Sequence, residues 1–156
     1  MITIIKKILL FILCLAPWFI TYLFPIDYSF YKDIKLPFFA PPNIFYIIAW
    51  TITYICTAIS IYKTITNFKW SEIPKSYKKI LLINYLSNQS FVIVFFIFKN
   101  LFLGFLSCLI NFISTLYFYE QTSSLDEKST KYLNPYVLLG LFATILSITI
   151  YIINTK

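Results

Sequence analysis

Histidine and arginine are both absent from this chain of 156 residues. Without histidine it lacks the commonest general base and metal ligand, and without arginine it lacks the side chain that grips phosphate through two parallel hydrogen bonds. The composition therefore gives little basis for enzyme chemistry. We assign no catalytic residue, no metal site and no obligatory cofactor.

Cysteine and charge are both scarce. The three cysteines, Cys14, Cys56 and Cys108, lie far apart in apolar segments, which is typical of small buried hydrophobes rather than of disulfides or metal clusters. Only 12% of the residues are charged, whereas 60% are hydrophobic. A soluble globule of this composition could not cover its surface with polar side chains. The sequence therefore predicts an integral membrane protein with a single domain over residues 1–156.

Five apolar runs reach the length of roughly 20 residues that a helix needs to cross a bilayer. They are Ile4–Phe24, Ile44–Thr66, Lys79–Phe98, Leu101–Tyr119 and Leu133–Ile153. None alternates in the manner of barrel strands, so the predicted fold class is all-α, a bundle of five transmembrane helices. Pro17 predicts a kink in the first helix, which lacks the cleavage site of a signal peptide. The polar stretch Gln121–Lys131 is predicted to be a connector.

The distribution of lysine predicts the orientation. Nine lysines fall on the side of the N-terminus and four on the other side, counting the five helices as crossing alternately. The positive-inside rule then places the N-terminus in the cytoplasm, in a bacterial cytoplasmic membrane, and the first long loop outside. The net charge of +7 suits the headgroups of an anionic lipid bilayer and needs no nucleic acid partner.

The loop before the second helix contains three prolines within six positions, in the stretch Leu36–Asn43. Because proline lacks the N–H group and its ring clashes with a preceding helical turn, this stretch is predicted to be a stiff, extended loop. In the helix that follows, Trp50 and Tyr54 are four residues apart and share one face. Such a loop above an aromatic face predicts the mouth of a pocket, although the loop aromatics also suit a headgroup belt.

Polar and small side chains inside the spans predict a cavity wall. Asn84, Asn88 and Phe91 share a face of the third helix, and two further faces at helical spacing carry Gly104, Cys108, Asn111 and Thr115, and Gly140, Ala143 and Ser147. Polar groups are expensive against lipid and turn inward. Close packing of helices is the alternative interpretation, which we favour for Gly104, Gly140, Ser147 and Asn111 taken alone. A largely apolar cavity with a few amides is typical of a small-molecule site.

Several motifs resemble the TspO/MBR family, the tryptophan-rich sensory proteins and the mitochondrial translocator protein. They are Phe30-Tyr31, Leu36-Pro37, Phe39-Ala40-Pro41-Pro42, Ala49-Trp50-Thr51 with Tyr54, Asn84, Asn134-Pro135-Tyr136, Phe142-Ala143-Thr144 and Asn154. The resemblance extends over nearly the whole chain. It implies a five-helix bundle, commonly a homodimer, with a pocket that the first loop closes over porphyrins such as protoporphyrin IX and haem, or over cholesterol in the mitochondrial branch.

Carried over by position, the resemblance gives a ligand-binding set that agrees with the faces found from spacing. With Asn84 added, the set is Tyr31, Pro41, Trp50, Tyr54, Asn84, Asn88, Phe91, Cys108, Ala143 and Ser147. A loose sterol pattern, a weak hypothesis, is formed by Leu146, Tyr151 and Lys156. Four positions where the family usually has tryptophan hold another residue, namely Phe30, Phe39, Ser87 and Leu139. Trp50 alone is kept in the pocket, which argues against the light-driven porphyrin breakdown described for some members.

We therefore predict a membrane receptor or sensor for porphyrin-like and related hydrophobic ligands. One alternative is a transporter of porphyrins or other amphipathic solutes, but the spans offer no buried acidic or basic group for proton coupling. Light-dependent degradation of porphyrin is a second alternative. A structural subunit without a ligand is a third, in which case the polar faces would contact another protein.

Overall fold

In the computed structural model, which describes residues 2–24, 26 and 28–155, the chain folds into helices joined by short links. The described residues form α1 to α7, which are Ile2–Leu15, Tyr28–Asp33, Asn43–Asn67, Lys75–Val92, Leu101–Leu125, Glu127–Thr130 and Asn134–Asn154. Tighter or wider turns extend three of the helices. A 3₁₀-helix, Ala16–Leu23, continues α1, a π-helix, Ile93–Ile97, continues α4, and a 3₁₀ turn, Lys131–Leu133, leads into α7.

Five helical segments of the described chain are long and apolar enough to cross a membrane. They are Ile4–Leu23, Asn43–Asn67, Lys75–Ile97, Leu101–Leu125 and Glu127–Asn154. Large apolar side chains cover their outer faces, among them Ile48, Leu86 and Leu138, each more than half exposed. Such a surface suits lipid rather than water. The predicted fold class, an all-α membrane bundle of five spanning helices, is confirmed.

The first span breaks where the sequence predicts a kink. Pro17 has no N–H group to donate along an α-helix, and α1 ends at Leu15, just before it. The chain continues as the narrower 3₁₀-helix, in which residues three apart lie on the same side. Trp18 and Thr21 are three apart, and both are buried against the bundle. The break therefore presents an indole and a hydroxyl to the interior.

The predicted connector Gln121–Lys131 is wrong over much of its length. The fourth span continues as α5 to Leu125, six residues beyond the predicted end at Tyr119, and α6 occupies residues 127–130. The polar residues of this stretch have partners that keep it helical. Thr122 is fully buried and its hydroxyl donates to the Phe118 carbonyl, while Gln121 accepts a hydrogen bond from Ser76 of α4. By contrast, α4 and α5 pack side by side, as the short link between them predicts.

Two sets of contacts mark the opposite ends of the bundle. At one end Asn67, the last residue of α3, donates to Asp126, which lies between α5 and α6. At the other end Asn154, the last residue of α7, contacts Lys35 in the loop between α2 and α3. The first span runs antiparallel to α3, with Phe11 against Tyr62 and Tyr22 against Thr51, so α1 begins toward the Asp126 end, while the proline-rich loop lies at the far end.

Asp126 is predicted to contribute to stability in a pH-dependent manner. Its carboxylate caps α6 by accepting from the Ser129 N–H and hydroxyl, and it also accepts from Asn67. Slight burial alone would raise the pKa of Asp126, but these hydrogen bonds outweigh it and hold the pKa below its usual value. The stabilisation is therefore present near neutral pH and is lost as the pH falls through the lowered pKa. In thermal melts near pH 7, we expect Asp126→Ala to cost about 1 kcal/mol; a cost that is unchanged at about pH 2 would contradict the ionic part of this prediction.

Candidate functional site

A cavity of about 280 Å³ lies inside the bundle, toward the end that carries the proline-rich loop. Its wall is built from the 3₁₀-helix of the first span, from α2, α3 and α4 with its π-helix, and from α5 and α7. Tyr22 and Ile47 border the cavity, are also exposed on the outside of the bundle, and are joined by a hydrogen bond from the Tyr22 hydroxyl to the Ile47 carbonyl over 3.4 Å. Every spanning segment thus contributes to a single chamber.

The structure brings most of the predicted ligand-binding residues to this chamber. Eight of the ten border it, namely Tyr31, Trp50, Tyr54, Asn88, Phe91, Cys108, Ala143 and Ser147. Pro41 and Asn84 are not among the lining residues. The small faces of α5 and α7 serve both packing and lining, because Asn111 and Gly140 also border the cavity. That these side chains bind a ligand stays a prediction.

One side of the cavity is a layered aromatic wall. The rings of Trp50 and Tyr54 have centroids 5.6 Å apart, as their spacing of four residues along α3 predicts. Behind Tyr54 lies Trp18, stacked at 5.7 Å, and Tyr136 meets the Trp50 ring edge-on at 6.2 Å. Because each ring is supported by another, the wall offers a preformed flat surface for a planar apolar molecule.

The facing wall comes from the end of α4 and from its π-helix. Phe91 and Phe95 stack with centroids 5.2 Å apart, and Phe96 packs edge-on against Phe95 at 4.9 Å. Sequence reasoning identified Phe91 but missed Phe95, which follows four residues later on the same helical face, and Phe96, which the wider π turn adds to the cluster. Gly104 of α5 makes room for this cluster, since a Cβ atom there would lie 2.6 Å from the Phe95 ring.

Of the three amides that border the chamber, Asn43, Asn88 and Asn111, the last two accept hydrogen bonds from tyrosines. The Tyr54 hydroxyl donates to Oδ1 of Asn88 over 3.0 Å, and the Tyr136 hydroxyl donates to Oδ1 of Asn111 over 3.0 Å. The described lining includes no acidic or basic side chain. This arrangement provides stacking, burial of apolar surface and orientation by neutral hydrogen bonds, which are the components of a binding site for a hydrophobic small molecule.

Asn84 lies one helical turn below Asn88, at the contact between α4 and α5 instead of in the cavity wall. It is fully buried, and its Nδ2 donates to the hydroxyls of Ser114 and Thr115 over 3.0 and 2.8 Å. Asn88, one turn further on, instead pairs with Tyr54 of α3 and borders the cavity, while α4 and α5 stay in contact beyond it through Ser90 and Ser107. Asn84 therefore joins the helices, in agreement with the packing interpretation of polar residues in membrane spans.

Above the cavity, α2 contributes Tyr31, whose hydroxyl donates to that of Tyr46 over 3.3 Å. Tyr31 also packs against Phe95 and Phe96, with centroids 6.4 Å away from each. Beyond α2 the loop runs to Pro42 and forms a turn in which the Ala40 N–H donates to the Pro37 carbonyl. The short helix, rather than Pro41, is thus the part of the predicted lid that reaches the chamber.

The loop is fastened to the last residue of α7. Asn154 accepts from the Lys35 N–H over 2.8 Å, and its Nδ2 donates to the Lys35 carbonyl over 2.9 Å. The amide also donates to the Ile150 carbonyl, which holds it in place on α7. Because the Asn154 side chain bonds both the N–H and the carbonyl of Lys35, it holds the loop against the end of α7.

We expect Asn154→Leu to loosen the lid without unfolding the bundle. Both hydrogen bonds to Lys35 would be lost, and because each contributes about 1 kcal/mol, a bound ligand should dissociate up to about 30-fold faster. Stopped-flow release of a fluorescent porphyrin measures this rate. Thr149→Val, which removes an exposed hydroxyl bonded only within α7, is the matched control. Equal release rates for Asn154→Leu and the wild type would show that the contact between Asn154 and Lys35 does not govern the lid.

The sequence is similar to that of a known family and to those of two bacterial proteins. The sequence model of the TspO/MBR family matches residues 8–152. The chain belongs to the TspO/MBR family. It is 37% identical over 132 residues to "Tryptophan-rich protein TspO" of Bacillus cereus, and 33% identical over 133 residues to "Uncharacterized membrane protein YtaB" of Bacillus subtilis. Each match covers 85% of both proteins. Membership supports, in general terms, a role as a membrane sensor or translocator.

The four positions at which this chain departs from the usual TspO/MBR pattern are not among the described lining residues of the chamber. Phe30 packs against Phe95 at 5.7 Å, and Phe39 against Phe142 at 6.5 Å. Ser87 lies between α4 and α5, where its hydroxyl donates to the Asn84 carbonyl. Trp50 is accordingly the one tryptophan among the described lining residues.

The three residues of the loose sterol pattern have separate surroundings in this TspO/MBR protein. Leu146 is buried and borders the cavity. Tyr151 packs its ring against Phe102, at the beginning of α5, with centroids 5.3 Å apart. Lys156 lies outside the described residues. Sterol binding by this pattern therefore stays a prediction.

Proposed function

We propose that this TspO/MBR protein is a membrane receptor or sensor that binds porphyrin-like molecules, such as protoporphyrin IX and haem, in the cavity. The observation that carries the proposal is the pairing of the Trp50–Tyr54 wall with the Asn88 amide in one apolar chamber. A flat macrocycle can stack on the rings and bury its apolar surface, while the amide orients a polar edge.

The size of the chamber indicates how such a ligand fits. Its volume of about 280 Å³ lies at the lower end of the range of small-molecule sites. A whole macrocycle needs more space than this, so we expect its propionate edge to extend between Tyr22 and Ile47, whose 3.4 Å hydrogen bond would then break. Tyr31 would move with α2 and give up its hydrogen bond and edge-on ring contact with Tyr46.

Charge and topology support an outward-facing lid. Eight of the nine lysines assigned to the cytoplasmic side lie in α1 or between residues 63 and 128, and Lys131 follows in the turn before α7. By the positive-inside rule this favours a cytoplasmic N-terminus, with Asp126 on the same side and the loop that Asn154 clamps on the opposite side. A ligand would then be received from the outer half of the bilayer or from outside it.

Titration in the dark tests the proposal. The purified protein in detergent is titrated with protoporphyrin IX while tryptophan emission is followed, and Asn88→Leu and Ile110→Ala are compared with the wild type. We expect saturable quenching and an affinity lowered about fivefold in Asn88→Leu, since one ligand hydrogen bond is lost. Ile110 faces outward, 53% exposed, so its truncation should change nothing.

The same series can contradict the proposal. Non-saturable quenching of equal slope in all three proteins would indicate only uptake of porphyrin into the detergent phase. The cavity would then have to serve another ligand or a structural role, and a porphyrin would not raise the melting temperature.

A further inference from the structure

Asn111 holds a position at the base of the cavity that the packing of α5 alone does not explain. It borders the chamber but is 5% exposed, and its side chain lies among α4, α5 and α7. Two donors approach its Oδ1 atom, namely the Tyr136 hydroxyl at 3.0 Å and the Asn84 Nδ2 at 3.4 Å. The Ser87 hydroxyl also lies 3.4 Å away, but its proton goes to the Asn84 carbonyl over 2.9 Å.

The surrounding network fixes which amide atom faces these donors. The hydroxyls of Ser114 and Thr115 both donate to the Asn111 carbonyl, over 2.9 and 2.8 Å. Their protons are thereby used, so toward Asn84 they can only accept, and the Asn84 atom that faces them must be the nitrogen. That nitrogen also faces the Asn111 side chain. Placing the Asn111 nitrogen there would bring two donors together, so the atom at that point is oxygen.

This assignment leaves the Asn111 nitrogen on the cavity side. Nδ2 of Asn111 donates to no group within the described part of the chain, and the buried polar atoms without a partner do not include it. Asn88 also accepts a hydrogen bond at Oδ1 from a tyrosine hydroxyl, that of Tyr54, and its side chain lies near the Tyr136 hydroxyl as well. Both amide oxygens thus accept from tyrosines, and the Asn111 nitrogen remains for a ligand.

We propose that the base of the cavity is a hydrogen-bond donor site that selects ligands with an acceptor oxygen, and that Asn111 determines this specificity. A ligand carbonyl or carboxylate pairs with the Asn111 N–H, and a ligand without an acceptor makes no such bond. The Tyr136 hydroxyl supports this orientation of the amide, and the Asn84 N–H maintains it when that hydroxyl is removed. The inference rests on the proposed function in assuming that a small molecule occupies the cavity.

A pair of matched probes tests the donor site. Fluorene and 9-fluorenone are rigid, flat and nearly equal in shape, and only the second has an acceptor. Their affinities are measured by calorimetry in the same detergent for the wild type, Tyr136→Phe, and the double variant Asn111→Leu with Tyr136→Phe. Tyr136→Phe is the matched background, since the Asn84 N–H still faces the oxygen, and the double variant leaves no tyrosine donor unpaired.

We expect the wild type and Tyr136→Phe to favour fluorenone about fivefold more than the double variant does, the effect of one neutral hydrogen bond. The bound carbonyl should also shift its infrared stretching band to lower wavenumber in the wild type, a result that does not depend on the folding of any variant. A preference that persists in the double variant, or an unshifted band, would overturn the assignment of Asn111 while leaving the cavity as a binding site. Failure of both probes to bind the wild type would contradict the proposed function as well.

Discussion

Replacing Trp18 with alanine is expected to lower the free energy of unfolding by about 3–5 kcal/mol, the usual cost of deleting a buried aromatic side chain. Trp18 is 2% exposed and contacts the rings of Tyr54, Tyr85 and Tyr136, with centroids between 5.6 and 5.9 Å. It therefore supports the first span, α3, α4 and α7 together. Equilibrium unfolding in mixed micelles, followed by circular dichroism, measures the loss.

Two comparisons make the Trp18 result specific. Trp18→Phe keeps an aromatic ring and should restore much of the stability. Trp70 is 59% exposed at the Asp126 end, where it makes a cation–π contact with Lys78, so Trp70→Ala should cost no more than about 1 kcal/mol. Equal losses for Trp18→Ala and Trp70→Ala would show that the 3₁₀-helix does not support the core in this way.

Replacing Trp50 with alanine is expected to lower the affinity for protoporphyrin IX by about 10- to 100-fold. The estimate follows from the 1.5–3 kcal/mol gained when a large apolar side chain is buried, since roughly 1.4 kcal/mol corresponds to a factor of ten. Trp50 provides the open face of the aromatic wall, while Tyr54 and Tyr136 lie behind and beside it. Porphyrin absorbance is the appropriate signal, because the substitution removes a tryptophan.

The fold should survive this change, because Trp50 is only partly buried. Trp50→Phe keeps a ring for stacking and should lose less affinity than Trp50→Ala, and Trp70→Ala should bind like the wild type. An unchanged affinity in Trp50→Ala, with an intact melting transition, would show that the Trp50 ring does not contribute to binding.

The spanning helices could be predicted because the length and apolar composition of each run are enough to indicate a membrane span. Pro17 likewise predicts the break in the first span, because its missing N–H group removes a hydrogen bond from that same helix. The pairing of Trp50 with Tyr54 also follows from spacing within one helix. These features depend on neighbours in sequence and not on how the helices approach one another.

Other features depend on packing between helices and were out of reach. Asn84 and Asn88 share a face of α4, yet Asn84 pairs with α5 whereas Asn88 pairs with Tyr54 of α3 and borders the cavity. The Phe95 ring needs the space at Gly104, on another span, and the π-helix adds Phe96 beside it. The role of Asn111 likewise depends on Tyr136, a residue of α7, which no pattern within α5 reveals.

Protection of Cys108 from alkylation tests most directly whether the ligand occupies the cavity. Cys108 borders the chamber, whereas Cys56 lies outside the lining. Two proteins, each keeping only one of these cysteines, are treated in the dark with a small maleimide at increasing concentrations of protoporphyrin IX. We expect labelling of Cys108 to slow saturably, with half-protection at the concentration that half-quenches tryptophan emission, and labelling of Cys56 to stay constant. Saturable quenching with unprotected Cys108, or equal protection of both cysteines, would contradict binding in this cavity.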